Sequence, residues 1–182
     1  MLSWRPALER EILSANAAAA LGVAIVRPAL MYGKNQSAFG SYFGPMVQAA
    51  ANETPPLGLA ASREAMVALV HVDDCAAGVV AVVEKLGLLG AQGVFPVFDL
   101  MGSYENLGVV LEQAAKVVGY KGVLEFKGPG EDLLAQGMCT TVRGESSRAR
   151  SLLGWVPRKR PMVEEVEELE VHVRAFLASA GK

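Results

Sequence analysis

The order of apolar and polar residues along the chain alternates between helical and strand patterns. Leu8, Ile12 and Leu13 recur at three- and four-residue spacing, which predicts a helix over residues 4–20. The uniformly apolar, β-branched run at 23–26 is typical of a parallel strand covered on both faces. The other predicted elements, in chain order, are a loop at 32–40, a helix at 42–51, a strand at 65–72, a helix at 73–86, a strand at 93–100, a helix at 103–118, strands at 123–127 and 138–142, a short helix at 145–153 and a last helix from residue 161.

Three of the helix starts carry a signal of their own. A carboxylate at Asp73 or Asp74 can accept hydrogen bonds from the unpaired amides of a first helical turn. Ser103 begins the next helix, and Pro161 occupies the first position of the last one. Because strands and helices mostly alternate along the chain, the sequence predicts the α/β class.

Composition limits the class of protein and its partners. The chain has 182 residues, 52% of them hydrophobic and 20% charged, which supplies the core of one ordinary domain and excludes intrinsic disorder. The 17 Lys and Arg residues nearly balance the 19 Asp and Glu residues, so the formal net charge of −2 argues against nucleic acid or an anionic membrane as a partner. No run of about 18 uncharged apolar residues is present, so no membrane span is expected.

Two features bear on the cellular compartment. Cys75 and Cys139 are too few and too far apart for a disulfide framework, and this low count suits a reducing environment. Arg5, Glu9 and Arg10 interrupt any apolar segment of a signal peptide. We therefore expect a cytoplasmic protein.

The sequence contains no complete catalytic motif. The nearest match to the phosphate-binding pattern Gly-x-Gly-x-x-Gly is at 128–133, and it lacks the third glycine. None of the four tyrosines is followed four residues later by the lysine of a Tyr-x-x-x-Lys proton-transfer pair. His71 and His172 cannot form a zinc site with two distant cysteines at any usual spacing. We therefore predict no catalytic residue and no metal site.

Three segments, in this order, resemble the extended short-chain dehydrogenases/reductases, the NAD-dependent epimerase/dehydratase family. They are the Arg27-Pro28 strand and loop at 23–33, the His-Val-Asp-Asp turn at 69–76 and the Leu-Gly-Trp-x-Pro segment at 147–157. In that family the Gly-rich loop and the Tyr-x-x-x-Lys pair lie upstream of the Arg-Pro strand. The helix over 4–20 resembles the end of the helix that carries this pair, so the resemblance covers the family's C-terminal half.

The resemblance implies a single unit over residues 1–182, built from two parts. A remnant of a Rossmann-type parallel sheet, with its helices, would occupy about 1–34 and 88–119. A small α/β substrate-binding lobe would occupy about 35–87 and 120–182.

The resemblance also implies site residues. Pro28, Ala29 and Met31 would lie beside the nicotinamide ring of NAD or NADP, because the loop after the Arg-Pro strand passes that ring in the family. The residues implied to line the substrate cleft are Tyr32, Asn35 and Tyr42. The acid that distinguishes NAD from NADP would lie upstream of these segments, so the choice of cofactor stays open.

Two structural roles are predicted beside the site. A buried guanidinium needs a carboxylate partner, so we predict an ion pair between Arg27 and Asp74. We expect His71 to be a packed residue at the end of a strand rather than a catalyst.

One departure from the family narrows the substrate. Members that act on nucleotide sugars carry a diphosphate-binding arginine four residues before the histidine of the His-Val turn, and this position is Val67 in the present chain. The first hypothesis is therefore part of an oxidoreductase for a small carbonyl or alcohol substrate, inactive alone because its Gly-rich loop and Tyr-x-x-x-Lys pair are missing. The alternative is a non-catalytic interaction protein that self-associates, or pairs with a full-length relative, through the exposed edge of the strand at 23–26. A third reading is a gene fragment that lacks its first exons.

Overall fold

The computed structural model describes residues 4–19, 22–34, 37–52, 56–91, 95–141, 143–164 and 166–180. Its helices are α1 Trp4–Ala19, α2 Gly40–Ala51, α3 Val72–Ala91, α4 Leu107–Val117, α5 Leu133–Cys139 and α6 Val166–Ala180, with one turn of π-helix at Ala149–Leu153. Its strands are β1 Ile25–Pro28, β2 Leu30–Tyr32, β3 Leu57–Leu59, β4 Met66–His71, β5 Val97–Leu100, β6 Ser103–Asn106 and β7 Leu124–Phe126.

The strands form three small sheets among the described residues. β1 pairs with β5 in parallel, and β3 pairs with β7 in parallel. β4 lies between β2, which is parallel to it, and β6, which is antiparallel. Three of these four strand pairs are parallel, and helices connect them, so the predicted α/β class is confirmed.

Strand β4 separates two hydrophobic clusters, because successive side chains of a strand point to opposite faces. Leu69 contributes to the larger cluster, which joins helices α2, α4 and α6. Val70 contributes to the smaller cluster, in which α3, β5 and the π-helical turn meet around Phe98 and Trp155. The two clusters fix the position of β4, whose neighbour β2 supplies residues to the candidate site.

Long periodic segments follow the sequence prediction, whereas several short ones do not. The helix at 4–20 and the strand at 65–72 correspond to α1 and β4, each within a residue or so of the predicted ends. Strand β2, which lies mostly before the predicted loop at 32–40, was not predicted, because three residues are too few to show a period. The last helix begins at Val166 instead of Pro161, and residues 162–164 form a turn before it.

One predicted helix start and one predicted strand are wrong, in each case because a polar residue caps a helix elsewhere. Ser103 lies in strand β6, and the next helix begins after Asn106, whose Oδ1 accepts a hydrogen bond from the Val109 N–H at 3.0 Å. The strand predicted at 138–142 is replaced up to residue 139 by α5, where Asp132 Oδ1 accepts from the Leu134 N–H at 2.8 Å. Residue 142 lies outside the described residues.

The division into a sheet remnant and a substrate lobe stays a prediction. Strand β6 and helix α4 belong to the predicted sheet remnant. They contact β4, α2 and α6, which belong to the predicted substrate lobe.

Candidate functional site

A cleft of about 640 Å³ lies beside the strands β1, β2 and β4. One side of the cleft is lined by residues in or next to α1, β1, β2, β4 and β5, namely Arg5, Arg27, Pro28, Ala29, Leu30, Met31, Val67, Ala68, Asp99 and Met101. Its lining from α5 and the residue after it consists of Leu133, Leu134, Gly137, Met138 and Thr140. The volume is that of a pocket for a small molecule.

The three residues implied to contact nicotinamide all line this cleft. Pro28 ends β1, Met31 is in β2, and Ala29 lies between the two strands. The Ala29 N–H donates to the Leu100 carbonyl at 2.9 Å, which extends the pairing of β1 with β5 by one residue before the chain passes to the other sheet. The crossing between sheets therefore exposes this short apolar segment to the cleft, although its cofactor role stays a prediction.

The residues implied to bind substrate lie elsewhere or outside the described residues. Tyr32 is buried and donates from its hydroxyl to the Arg160 carbonyl at 3.2 Å. Tyr42 is buried in the larger cluster and donates to the Ala60 carbonyl at 3.2 Å. Neither tyrosine is among the residues that line the cleft, and Asn35 lies outside the described residues. Their predicted binding role stays untested.

The predicted ion pair between Arg27 and Asp74 is wrong. Arg27 donates from Nε to Glu9 Oε1 at 3.1 Å, with Asp99 Oδ1 at 3.9 Å from its Nη1. This happens because α1 packs its Glu9 against β1, while Asp74 lies in the first turn of α3 and faces another segment. Its carboxylate accepts the backbone N–H groups of Arg158 and Lys159, each at 3.0 Å.

Neither predicted aspartate caps helix α3 from outside. Both lie within its first turn, and the residue before the helix, His71, takes the capping role. Its Nδ1 accepts a hydrogen bond from the Asp73 N–H at 3.1 Å. His71 is buried at the end of β4, which agrees with its expected role as a packed residue.

A second buried histidine holds helix α6 against the loop after β2. His172 Nδ1 lies 3.0 Å from the Lys34 carbonyl oxygen, so that nitrogen carries the proton and donates. Its Nε2 therefore accepts from Ser37 Oγ, 2.8 Å away. The sequence offered no signal for this contact, because it joins residues more than a hundred positions apart.

The charged lining residues form a balanced network. Arg5 donates from Nε to Glu9 Oε1 at 3.2 Å, so Glu9 lies between two guanidinium groups. The Arg27 guanidinium, as the chief hydrogen-bond donor, holds the pKa of Glu9 below its ordinary value. Two cations and two carboxylates, Glu9 and Asp99, thus offset one another at the α1 side of the cleft.

The described residues fit part of a dinucleotide site. Pro28, Ala29 and Met31 give an apolar surface that fits the flat nicotinamide ring. Both cations of the cleft lining are engaged by Glu9, and no segment of the sequence carries a complete Gly-x-Gly-x-x-Gly loop for the pyrophosphate. The residues present therefore fit one wall of the nicotinamide pocket and not the phosphates.

Neither a metal-binding cluster nor a membrane-spanning helix is found in the part of the chain that the structure describes. That part includes no group of three or more His, Cys, Asp or Glu side chains that could hold a metal ion. None of the described helices is both long and apolar enough to cross a membrane.

The parallel strand pairs and the connecting helices define a Rossmann-like α/β fold. A model of the NAD dependent epimerase/dehydratase family matches residues 6–95, just under half of the chain. The resemblance predicted from the three motifs is thereby confirmed. No curated protein matches the sequence.

Several solved structures, among them an epimerase and a dehydratase, share the fold. UDP-glucose 4-epimerase of Thermotoga maritima with UDP-glucose superposes with a TM-score of 0.71 at 19% identity, over 94% of this chain and 51% of that one. RMD of Pseudomonas aeruginosa complexed with NADPH gives 0.70 at 14% identity, over 94% and 53%. The dTDP-glucose 4,6-dehydratase of Bacillus anthracis in complex with NAD gives 0.69 at 18% identity, over 95% and 50%. The chain spans about half the length of each of these structures.

The sequence reasoning missed the α5 side of the cleft. Leu133, Leu134 and Met138 line it from a helix that was predicted in part as a strand. A usable signal was present, because Asp132 follows a Gly-Pro-Gly turn and directly precedes an apolar pair, as an N-cap residue does.

Proposed function

We propose that this chain supplies the substrate lobe and one wall of the nicotinamide pocket of an NAD(P)-dependent oxidoreductase of its family. The observation that carries the proposal is the joint lining of one cleft by Pro28, Ala29 and Met31 and by helix α5. The first group is the segment that the family resemblance assigns to the cofactor. The second group offers a separate surface for a substrate on the same cleft.

The chain's own residues would position the reactants rather than transfer protons. When bound, the nicotinamide supplies or accepts the hydride, and a carbonyl or alcohol is its partner. Pro28, Ala29 and Met31 would support the ring and exclude water from one of its faces. The ionisable lining residues Arg5, Arg27 and Asp99 belong to the Glu9 network, and none of them forms a Tyr-x-x-x-Lys pair. We therefore propose that the chain alone has no oxidoreductase activity.

The proposed substrate is a small carbonyl compound or alcohol rather than a nucleotide sugar. Val67, at the position of the diphosphate-binding arginine in nucleotide-sugar enzymes, is a buried apolar residue of the cleft lining. The neighbouring lining residue Ala68 adds no positive charge. A diphosphate would thus lose its favourable partner at this place.

We also propose that the protein works in the reducing cytoplasm. Cys75 and Cys139 are both free thiols in the described structure, which is compatible with such an environment.

Nuclear magnetic resonance of the purified chain with ¹³C-methyl methionine tests the proposal. NADH at millimolar concentration is expected to shift the Met31 resonance, assigned with the Met31→Leu variant, and to leave the core residues Met46 and Met162 unchanged. The same sample is expected to oxidise no NADH with propanal. An unshifted Met31 resonance, or turnover of NADH by the chain, would contradict the proposal.

Size-exclusion chromatography tests the alternative of a self-associating protein. Among the described strands, β1 pairs with β5 alone, so one of its edges is available for pairing with another chain. An oligomer that shows no NADH-dependent shift would favour this alternative. A monomer with such a shift would favour the oxidoreductase.

A further inference from the structure

The two sides of the cleft differ in chemistry. Its charged residues come from α1, β1 and β5, and they are joined to one another through Glu9. Strands β2 and β4 contribute apolar side chains, among them Met31 and Val67. Helix α5, which packs against β4, adds Leu133, Leu134 and Met138. A ligand would therefore meet mainly apolar side chains on the α5 side, with Thr140 at the end of the helix.

Large apolar side chains at the start of α5 are exposed in the chain. Leu133 is 79% and Leu134 is 49% accessible to solvent. Exposed apolar side chains gathered at a concave surface mark a binding site more often than scattered ones do. The cleft that they border has about 640 Å³, which suits a small molecule better than a flat contact with another protein.

Hydrogen bonds at both ends hold the backbone of helix α5 in place. Asp132 Oδ1 accepts from the Leu134 and Ala135 N–H groups at 2.8 and 3.3 Å. Gln136 Nε2 donates to the Gly130 carbonyl at 2.8 Å, and Cys139 Sγ accepts from the Ser62 N–H at 3.1 Å. The backbone of α5 therefore needs little ordering when a ligand binds.

We propose that the α5 side of the cleft binds the non-reacting part of the substrate, an uncharged aryl or branched alkyl group, through Leu133, Leu134 and Met138. The proposal rests on the proposed function and adds the substrate class. The reacting carbonyl or alcohol then lies toward the segment Pro28–Met31. An anionic substrate is disfavoured, since the charges at the other side offset one another.

The test uses the intact chain and 3-phenylpropan-1-ol as the probe. Methionine methyl resonances of Met101 and Met138, assigned with Met→Leu variants, are expected to shift in a saturable way, while those of Met46 and Met162 stay constant as internal controls. Propan-1-ol is expected to bind about tenfold more weakly or worse, because it lacks the ring that the apolar surface would cover. UDP-glucose is expected to cause no shift of the cleft methionines.

A double substitution tests the two leucines directly. Leu133→Asp with Leu134→Asp is expected to weaken binding of 3-phenylpropan-1-ol by about tenfold or more. Acidic residues in a first turn suit the helix dipole, so α5 is expected to persist. The matched control is Val83→Asp on the exposed face of α3, which should leave the affinity within about twofold of the original. If the core methionine signals report unfolding of the double variant, Leu133→Ala with Leu134→Ala decides instead.

The outcomes separate this inference from the proposed function. Unchanged affinity in a folded leucine variant, equal affinity for propan-1-ol, or a UDP-glucose shift of Met138 would overturn the apolar substrate class. An NADH-dependent shift of Met31 would leave the proposed function standing in each of these cases. Conversely, saturable binding of 3-phenylpropan-1-ol that depends on the leucines, without any NADH effect, would support the apolar site and contradict the cofactor wall.

Discussion

Arg27 of strand β1 and Glu9 of helix α1 form the link between these two elements, with the guanidinium donating from Nε to the carboxylate at 3.1 Å. Arg5 donates to the same carboxylate oxygen at 3.2 Å from one turn earlier in the helix. The Arg27 hydrogen bond is the chief reason that the pKa of Glu9 lies below its ordinary value of 4.5. The orientation of α1 at the cleft thus depends on a carboxylate that has to stay ionised.

Glu9→Gln is expected to lower the free energy of unfolding at neutral pH by about 0.5–1 kcal/mol, the usual size for a partly exposed ion pair. A carboxylate whose pKa falls on folding stabilises the fold above its unfolded pKa and loses that contribution as the pH falls through the folded value. The native chain should therefore lose stability as the pH falls below 4.5, the pKa of Glu9 in the unfolded chain. The variant, which lacks this carboxylate, should lose less stability over the same range. Urea unfolding at neutral and acidic pH measures both, with Glu11→Gln on an exposed position of α1 as the control.

The sequence correctly required a carboxylate for Arg27 but assigned the wrong one. The Arg27 side chain is 40% exposed rather than buried, so its pair with Glu9 is a partly solvated ion pair. Which anion it meets depends on how α1 and α3 pack, and no local pattern encodes that. The same limit explains the site: the motif at 27–31 identified a segment that does line the cleft, whereas the partner surface on α5 comes from about a hundred residues away.

Some short elements were missed because they have too few residues to show a period. Strands β2 and β6 have three and four residues, so two or three side-chain alternations cannot be told from chance. Helix α4 lies within the predicted range 103–118, yet its start was misplaced, because Asn106 rather than Ser103 caps it. Only tertiary pairing of residues 103–106 with β4 decides between them.

Asp74 is expected to be the more important of the two adjacent aspartates for stability. Its buried carboxylate accepts the N–H groups of Arg158 and Lys159, so Asp74→Ala leaves two backbone donors without their acceptors. We expect a loss of about 2–4 kcal/mol in the free energy of unfolding. Asp74→Asn keeps one acceptor oxygen and should lose less. Urea denaturation monitored by tryptophan fluorescence measures the change.

Asp73→Asn provides the matched control for that experiment. The Asp73 side chain is 50% exposed and pairs with Lys34 Nζ at 2.7 Å. A surface ion pair of this kind contributes less than about 1 kcal/mol. Equal losses for Asp73→Asn and Asp74→Ala would contradict the expected role of Asp74 in holding the segment at 158–159 against α3.

Gly33 is expected to tolerate no side chain. Its φ of 102° lies in the region that favours glycine, and a Cβ built there would come within 2.3 Å of His71 Nε2. Gly33→Ala should therefore cost about 2–4 kcal/mol of stability, by strain and by displacement of the buried imidazole. Gly87→Ala, within α3 and facing open space, should instead stabilise by about 0.5–1 kcal/mol. Thermal unfolding of the two variants compares them, and similar melting temperatures would refute the close approach.

The phenol of Tyr42 is expected to make the fold sensitive to alkali. Burial, as the main cause, raises its pKa from 10.0 to about 12. A group whose pKa rises on folding stabilises the fold below its unfolded pKa and loses that contribution as the pH rises toward the folded value. Tyr42→Phe should lower the free energy of unfolding by about 0.5–1.5 kcal/mol at neutral pH, because the Ala60 carbonyl loses its donor. This difference in stability between the variant and the native chain should narrow between about pH 10 and about pH 12. Urea unfolding across that pH range measures the difference, with Tyr104→Phe at an exposed position as the control. A stability difference between Tyr42→Phe and the native chain that stays constant with pH would show that Tyr42 does not carry the effect.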